Sequence, residues 1–337
     1  MNQLPGLERI REDSQDLAAA FRDAGFSLYA VGGCVRDAFM SDASSLDVDY
    51  TTNARPDDIL RLLRPLCTAT WDMGRAFGTI GGQLAATNRK VEITTFRSEA
   101  YSDSSRKPEV IFGDDLMVDL RRRDFTINAM AFDVIEPQLI APEGALSDLN
   151  ARILRTPTDP RVLFTDDPLR MLRAARFMSR FEFDIDPDVE AAAQELSERL
   201  TIVSAERIRV ELDLLLMTER PSLGLDFIVR TGLAEHFLPE LPGLALEQDP
   251  VHHHKDVLTH TYAVIEKVRR VTDSTETEPE GRSNLVVRLA ALFHDVGKPK
   301  TRAFTEKGVT FHGHDHVGAR MTKKRMAALK YSQQMID

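Results

Sequence analysis

Cysteine is scarce: Cys34 and Cys67 are the only two in 337 residues, and neither their number nor their spacing makes a disulfide framework or a zinc site, so buried free thiols are expected. No apolar run is long enough to span a bilayer, so no membrane role is expected. The opening stretch MNQLPGLERIREDSQDL mixes Glu8, Glu12 and Asp13 with its basic residues and lacks an apolar core. It does not read as a secretory signal, and a cytoplasmic setting is the expectation. Positive charge is also in deficit, with a formal net charge of −10, which argues at first against a polyanionic partner. The deficit is uneven, however: the stretch from Arg121 to Arg180 holds ten arginines, no lysine and eight acids. Basic charge is gathered where a nucleic acid would have to lie.

The length calls for two or three packed units. Leu28–Val31 is a short apolar run ending in Gly32-Gly33 and followed by a helical pattern over Cys34–Met40, which predicts strand, tight turn and helix. Leu46–Tyr50 reads as a second strand. Thr79–Leu84 and Lys90–Phe96 read as a hairpin turning at Thr87-Asn88. From about Pro157 strand signals fade, and Asp167–Phe181, Pro187–Leu200, Ala205–Thr218 and Pro221–Thr231 read as successive amphipathic helices. Thr272–Ser283 is polar and acidic and reads as a loop between helices, and the histidines crowd into the last hundred residues. The predicted architecture is an α/β head with a mixed β-sheet and flanking helices over 1–150, an all-α neck and body over 151–245, and a helical unit over 246–337.

In Asp47-Val48-Asp49 two acids stand two apart on a predicted strand, so both leave the same face, where oxygen ligands suit Mg²⁺. Paired metals there stabilise both the attacking and the leaving oxygen of an in-line displacement. Glu92, on the run Lys90–Phe96, adds a third carboxylate if the strands are neighbours. Alone, a D-x-D is equally a solvated strand end, Gly32-Gly33 a simple turn and Arg36-Asp37 a surface pair. Together they describe a phosphate cradle beside a metal clamp.

The motifs VGGCVRD, LDVDYTT, VEITTFR, RRRDFTINAMAF and DDPLRMLRAARF, in that order, resemble those of class II CCA-adding tRNA nucleotidyltransferases and bacterial poly(A) polymerases. ERIRVELDLLL at Glu206–Leu216 extends the likeness into the helical neck. The resemblance implies a nucleotidyltransferase-fold head, Asp47 and Asp49 as catalytic Mg²⁺ ligands, and polymerisation without a nucleic-acid template; Glu92 stays a catalytic candidate on its strand placement alone. It implies that Gly32, Gly33, Arg36, Arg123, Asp124 and Asn128 bind nucleotide, with arginine on the triphosphate. On the residues alone, Asp124 is also a helix cap with flanking surface charge.

Asp167 and Arg170 stand three apart, on one face of a predicted helix, where a carboxylate acceptor and a guanidinium fork match the Watson–Crick edge of C or A. The resemblance makes this pair the protein template that admits CTP and ATP; the alternative is an i,i+3 salt bridge. Arg173, Arg176 and Arg180 continue that side as an arginine stripe for phosphate or RNA backbone, or as a solvated face. Within Ser98–Val110, Asp103, Arg106 and Pro108 resemble the loop of A-incorporating enzymes.

His260 in VLTHTY and His294-Asp295 in ALFHDVGKPKT resemble an HD-domain metal site holding a divalent transition metal, with His312, His314 and His316 as further candidate ligands and His252-His253-His254 as a surface run. HD domains supply a last Asp well downstream; the sequence stops at Asp337, so a shortened HD domain is expected. The expected function is addition of C and A to a tRNA 3′ end from CTP and ATP. Poly(A) polymerase, or an HD phosphohydrolase using the head as an RNA-binding module, are the alternatives.

Overall fold

The computed structural model describes residues 4–40, 48–100, 109–246, 256–272, 282–306 and 308–337. Its contacts divide the chain into two units, Met1–Asp159 and Pro160–Asp337.

The first unit opens with α1 (Pro5–Asp13) and α2 (Gln15–Asp23) and continues through β1 (Tyr29–Val31), α3 (Gly33–Phe39), β2 (Val48–Thr52), α4 (Pro56–Leu63) and β3 (Cys67–Trp71). β4 (Thr79–Leu84) and β5 (Lys90–Thr95) form the expected hairpin, and Asn88 at its turn takes a left-handed φ of 58°, which asparagine tolerates. β6 (Arg97–Ala100), β7 (Glu109–Phe112), α5 (Leu116–Arg121), β8 (Ala131–Asp133), β9 (Gln138–Ile140) and α6 (Ala145–Ala151) complete the unit. The main sheet has seven strands in the order β3-β4-β5-β2-β1-β8-β9. Only β2 and β5 in it run parallel, so the sheet is mixed, as expected.

One face of this sheet is closed. Alternation sends Ala30, Tyr50, Ile80 and Ile93 to it, all buried, and Ile59 and Leu63 of α4 are buried beside β4 and β5. On the other face Leu120, with Leu116 packed beside it, joins Val31, Ala129 and Ala131 in a small apolar cluster, so α5 covers the β1–β8 half. The β2–β5 half stays open to water, as the exposed Asp49 and Glu92 show.

The second unit is helical: α7 (Pro160–Asp166), α8 (Leu169–Phe181), α9 (Pro187–Glu195), α10 (Ala205–Leu216), α11 (Pro221–Arg230), α12 (Leu233–Phe237), α13 (Val257–Thr272), α14 (Arg282–Phe293), α15 (Lys298–Thr301), α16 (His314–Ala328) and α17 (Gln333–Ile336). A hairpin of Ala303–Thr305 and Gly308–Thr310 interrupts this otherwise helical stretch. Gly224 of α11 lies so close to α8 that a Cβ would stand 2.4 Å from the Ala175 carbonyl. Glycine is what lets these two helices touch.

The expected helix Asp167–Phe181 forms from Leu169 onward, two residues shorter at its start. α7 ends at Asp166 and α8 begins at Leu169, with Asp167 and Pro168 between them. A residue before proline is disfavoured in the α region, and the Asp167 carboxylate instead accepts from the Leu169 N–H at 3.2 Å, satisfying a first-turn donor. The acidic stretch between α13 and α14 lies outside the described residues.

Candidate active site and candidate metal centre

Strand register builds the carboxylate row. β1 runs through Val31 into Gly32 and Gly33; β2 lies antiparallel beside it with Asp49 opposite Val31; β5 lies parallel to β2 with Glu92 opposite Asp49. Residues opposite one another in a ladder project to the same side, with strands about 4.8 Å apart. The carboxylates of Asp49 and Glu92 therefore leave the sheet as neighbours, and both residues are exposed. Asp47 lies outside the described residues, as do Asp103, Arg106 and Pro108 of the loop and the run His252-His253-His254.

Gly32 sits at φ 77° and ψ −132°, a conformation open to glycine, and a Cβ there would stand 3.3 Å from Nη1 of Arg123. Behind this elbow lies a buried polar network. Arg36 is not a surface pair: it is buried, donates from Nη1 to Oδ1 of Asn128 and from Nε to Asp37 at 2.8 Å. Asn128 in turn donates to Asp124 at 3.0 Å, and Asp124 accepts from the Phe125 N–H at 2.8 Å. Asp124 does not cap a helix: the 3-10 turn Thr126–Asn128 that follows starts from Phe125 with no side-chain cap bond. The Nε of Arg123 is buried with no hydrogen-bond partner among the described residues. A half-buried guanidinium with spare donor capacity at Nε, facing a glycine without a side chain, suits an anionic ligand.

Asp119 was missed in the sequence. Fully buried, it accepts from Nη2 of Arg122 at 2.7 Å and from Nη2 of Arg123 at 3.3 Å. Burial pushes its carboxyl up, but Arg122 and Arg123 overcome this and hold it below the usual carboxylate range. The signal was present, since Asp119 precedes these arginines by three and four residues on α5. The expected buried thiol is found: burial, with Asp49 adding to it, pushes Cys34 up to about 12, while Cys67 is half-buried.

In the second unit Asp167 and Arg170 are not two positions of one helix. The Asp167 carboxylate pairs with Arg207 at 2.9 Å, while Arg170 is buried and donates to the Leu163 carbonyl at 3.1 Å. The arginine stripe is also partly engaged. Arg176 is buried, bonded through Nε to Glu211 of α10 at 2.7 Å and stacked on Phe177, and Arg173 stands 3.9 Å from the same Glu211. Glu211 lies 35 residues from Arg176, and no local pattern announces it.

The histidine cluster forms where α13, the end of α14 and α16 meet. One ligand atom each from His260, His294 and Asp295 lie within 4.8 Å of one another. His294 bonds the Ala291 carbonyl through Nδ1 at 2.7 Å, and its Nε2 stands 3.1 Å from Asp295, to which it donates when protonated, and 3.4 Å from Nε2 of His260. Asp295 is itself buried, and two ring nitrogens and a carboxylate converging in this way are a donor set for a divalent cation. Of the further candidates, His314 comes nearest, 3.8 Å from Asp295, because Gly297 lets α16 approach: a Cβ on it would stand 2.1 Å from the His314 carbonyl. His316 is exposed and stands 3.9 Å from Asp315. Lys298 was not anticipated; its ammonium donates to Asp295 at 2.7 Å. Burial raises the Asp295 carboxyl, but His294 and Lys298 bring it down to about 2. The bond to Asp295 raises His294, whereas burial lowers His260.

A mixed sheet carrying adjacent carboxylates next to a glycine elbow defines a nucleotidyltransferase head, and residues 28–155 match the poly A polymerase head domain. Residues 182–244 match the probable RNA- and SrmB-binding site of polymerase A, and residues 257–336 match the HD domain. The chain belongs to the family of class II tRNA nucleotidyltransferases and bacterial poly(A) polymerases, with an HD domain following the helical region. It is 38% identical over 241 residues to the CCA-adding enzyme of Streptococcus gordonii, an alignment that takes in 71% of this chain and 55% of that enzyme. It therefore spans about half the length of its curated relatives. The Bacillus stearothermophilus CCA-adding enzyme in complex with CTP superposes with a TM-score of 0.59 at 25% identity, covering 94% of this chain and 82% of that one. A tRNA nucleotidyltransferase complexed with a primer tRNA and an incoming ATP analog superposes with a TM-score of 0.62 at 27% identity, over 82% and 74%. Both the head and the HD domain imply dependence on a divalent metal. Among the described residues no helix is long and apolar enough to cross a membrane.

Proposed function

We propose that the chain adds C and A nucleotides to the 3′ end of a tRNA that lacks its terminal CCA, using CTP and ATP and releasing pyrophosphate. The observation that carries this reading is the row formed by Asp49 and Glu92, in register and open to water, beside the Gly32 elbow and Arg123. Similarity to CCA-adding enzymes supports it. The working division is a head over 1–150, a helical neck and body over 151–245 that hold base and RNA, and an HD domain over 246–337. A tRNA substrate accords with a cytoplasmic setting.

Asp47 and Asp49 would hold Mg²⁺, with Glu92 as the adjacent carboxylate. When bound, Mg²⁺ offsets the charge of the phosphate oxygens and favours the ionised 3′-hydroxyl. Gly32 and Gly33 keep the backbone clear of the phosphates, Arg36, Asp124 and Asn128 hold the elbow rigid, and Arg123 donates to the leaving pyrophosphate. Asp167, Arg170, Arg173 and Arg176 border the base; in the observed arrangement Asp167 must part from Arg207 to accept from an amino group. The reaction forms one P–O bond from the 3′-oxygen to the α-phosphorus and breaks the α–β bridge.

Incubating the protein with a tRNA that lacks its terminal nucleotides, with each NTP singly and with CTP and ATP together, tests the reading. Two C additions with CTP and completion on adding ATP are expected. Unlimited extension with ATP alone overturns it in favour of a poly(A) polymerase. A second activity, metal-dependent phosphoester hydrolysis by the HD domain, is favoured by the convergence of His260, His294 and Asp295, which suit a transition metal such as Zn²⁺ or Co²⁺.

A further inference from the structure

The rung that contains Asp49 and Glu92 continues past them. From β5 it passes to Gly81 of β4, opposite Glu92, and then to Trp71 of β3, opposite Gly81. Side chains on one rung share a face, so Trp71 belongs to the carboxylate face of the sheet. Gly81 has nothing to place there, and the space is taken: a Cβ on it would fall 1.9 Å from Nε1 and 2.2 Å from Cε2 of the indole. The ring therefore lies across β4, and with strands about 4.8 Å apart its inner edge reaches to within one strand of Glu92. Trp71 is only half-buried, and the turn that follows holds Met73, 90% exposed, and Phe77, 46% exposed. Covering a strand glycine explains how the ring is held flat. It does not account for the exposed apolar side chains of Met73 and Phe77 in the turn that follows.

The order along the rung assigns a direction. In an in-line displacement the attacking and leaving oxygens lie on opposite sides of the α-phosphorus. The elbow at Gly32 with Arg123, on the β1 side of Asp49, takes the pyrophosphate. The attacking hydroxyl must then arrive from the Glu92 side, over β5 and β4, where the indole lies.

Resting on the nucleotidyl-transfer reading, we infer that Trp71 is the platform on which the 3′-terminal base of the acceptor RNA stacks. The terminal base changes with each addition, so hydrogen bonds to its edge would favour one step over the others. Stacking on an aromatic face is tolerant of base identity.

Trp71 is the only tryptophan in the chain, so emission of the unmodified protein reports on this position alone. Titrating the full chain with a tRNA lacking its last three nucleotides, without NTP, is expected to quench that emission, and the same tRNA ending in an abasic ribose is expected not to. Trp71→Leu should raise KM for tRNA roughly 5- to 100-fold and leave KM for CTP within about twofold, whereas Trp71→Phe should stay within about threefold of the native value. Unchanged emission on binding tRNA, equal quenching by the abasic end, or a Trp71→Leu enzyme with native KM for tRNA overturns the inference. Because Trp71→Leu uncovers Gly81 and is open to misfolding, the emission titration stands independently of it. If the native chain quenches with tRNA but adds no nucleotide, stacking stands and the transfer reading fails. If it adds CCA without quenching, the reverse holds.

Discussion

The carboxylate row of the head and the histidine cluster of the second unit both gather donors for a cation, by different means. In the head the donors are oxygens on adjoining strands, set side by side by sheet register and open to water. In the second unit they are nitrogens and one oxygen brought from separate helices, with Asp295 buried and already bonded to His294 and Lys298. A hard, solvated oxygen site suits a cation that keeps its waters and exchanges with substrate phosphates; a preorganised nitrogen site suits a transition metal held in place. The two centres should therefore be separable in metal and in mutational response.

The sharpest way to break that separation is Asp49→Ala. Nucleotide incorporation should fall at least about 10³-fold, while Co²⁺ binding by the histidine cluster, read from its visible absorption, stays unchanged. Loss of both would mean the centres are coupled. Next in size, His294→Ala should remove about one bound Co²⁺ per chain, measured by equilibrium dialysis, and leave Mg²⁺-dependent incorporation within about threefold of native.

Asp119→Asn probes the frame of the head. Asp119 is held below the ordinary carboxylate range when folded, so its contribution is present above about pH 4 and is lost as pH falls through the folded value. Urea unfolding at pH 7 should show a loss of about 3–5 kcal/mol, because Arg122 and Arg123 lose their buried partner. The gap to the native protein should narrow at pH 3; a gap of constant size would remove the electrostatic account. Smallest of all, Lys298→Ala should tighten Co²⁺ binding roughly three- to tenfold by calorimetry, since the ammonium competes with the cation for Asp295. Weaker binding would instead mean that Lys298 orders the site.

Much of this was legible. The strand, the elbow and Asp49 are local patterns, and the hairpin placing Glu92 follows from alternation and a turn at Asn88. Register was not legible: that β5 lies next to β2, and β3 and β4 beyond it, is a tertiary outcome no local window contains. Asp167 was misplaced because the helical period runs smoothly through it, and Pro168 with the capping carboxylate decided otherwise. Glu211, which occupies Arg176 from another helix, left no sequence trace, whereas Asp119 and Lys298 sat at helical spacing from their partners and were readable.

The single parallel pairing, β2 with β5, has a consequence for how this head can vary. Everything between Thr52 and Lys90, one helix and a two-strand excursion, is detour, and its connecting loops can lengthen or shorten without moving Asp49 away from Glu92. A single residue inserted inside β2 or β5 is another matter: side chains alternate, so the slip would turn one carboxylate into the apolar core and leave its neighbour alone. Tolerance to insertion should therefore be all-or-none along this stretch, generous in the loops and nil within ten or so positions of strand.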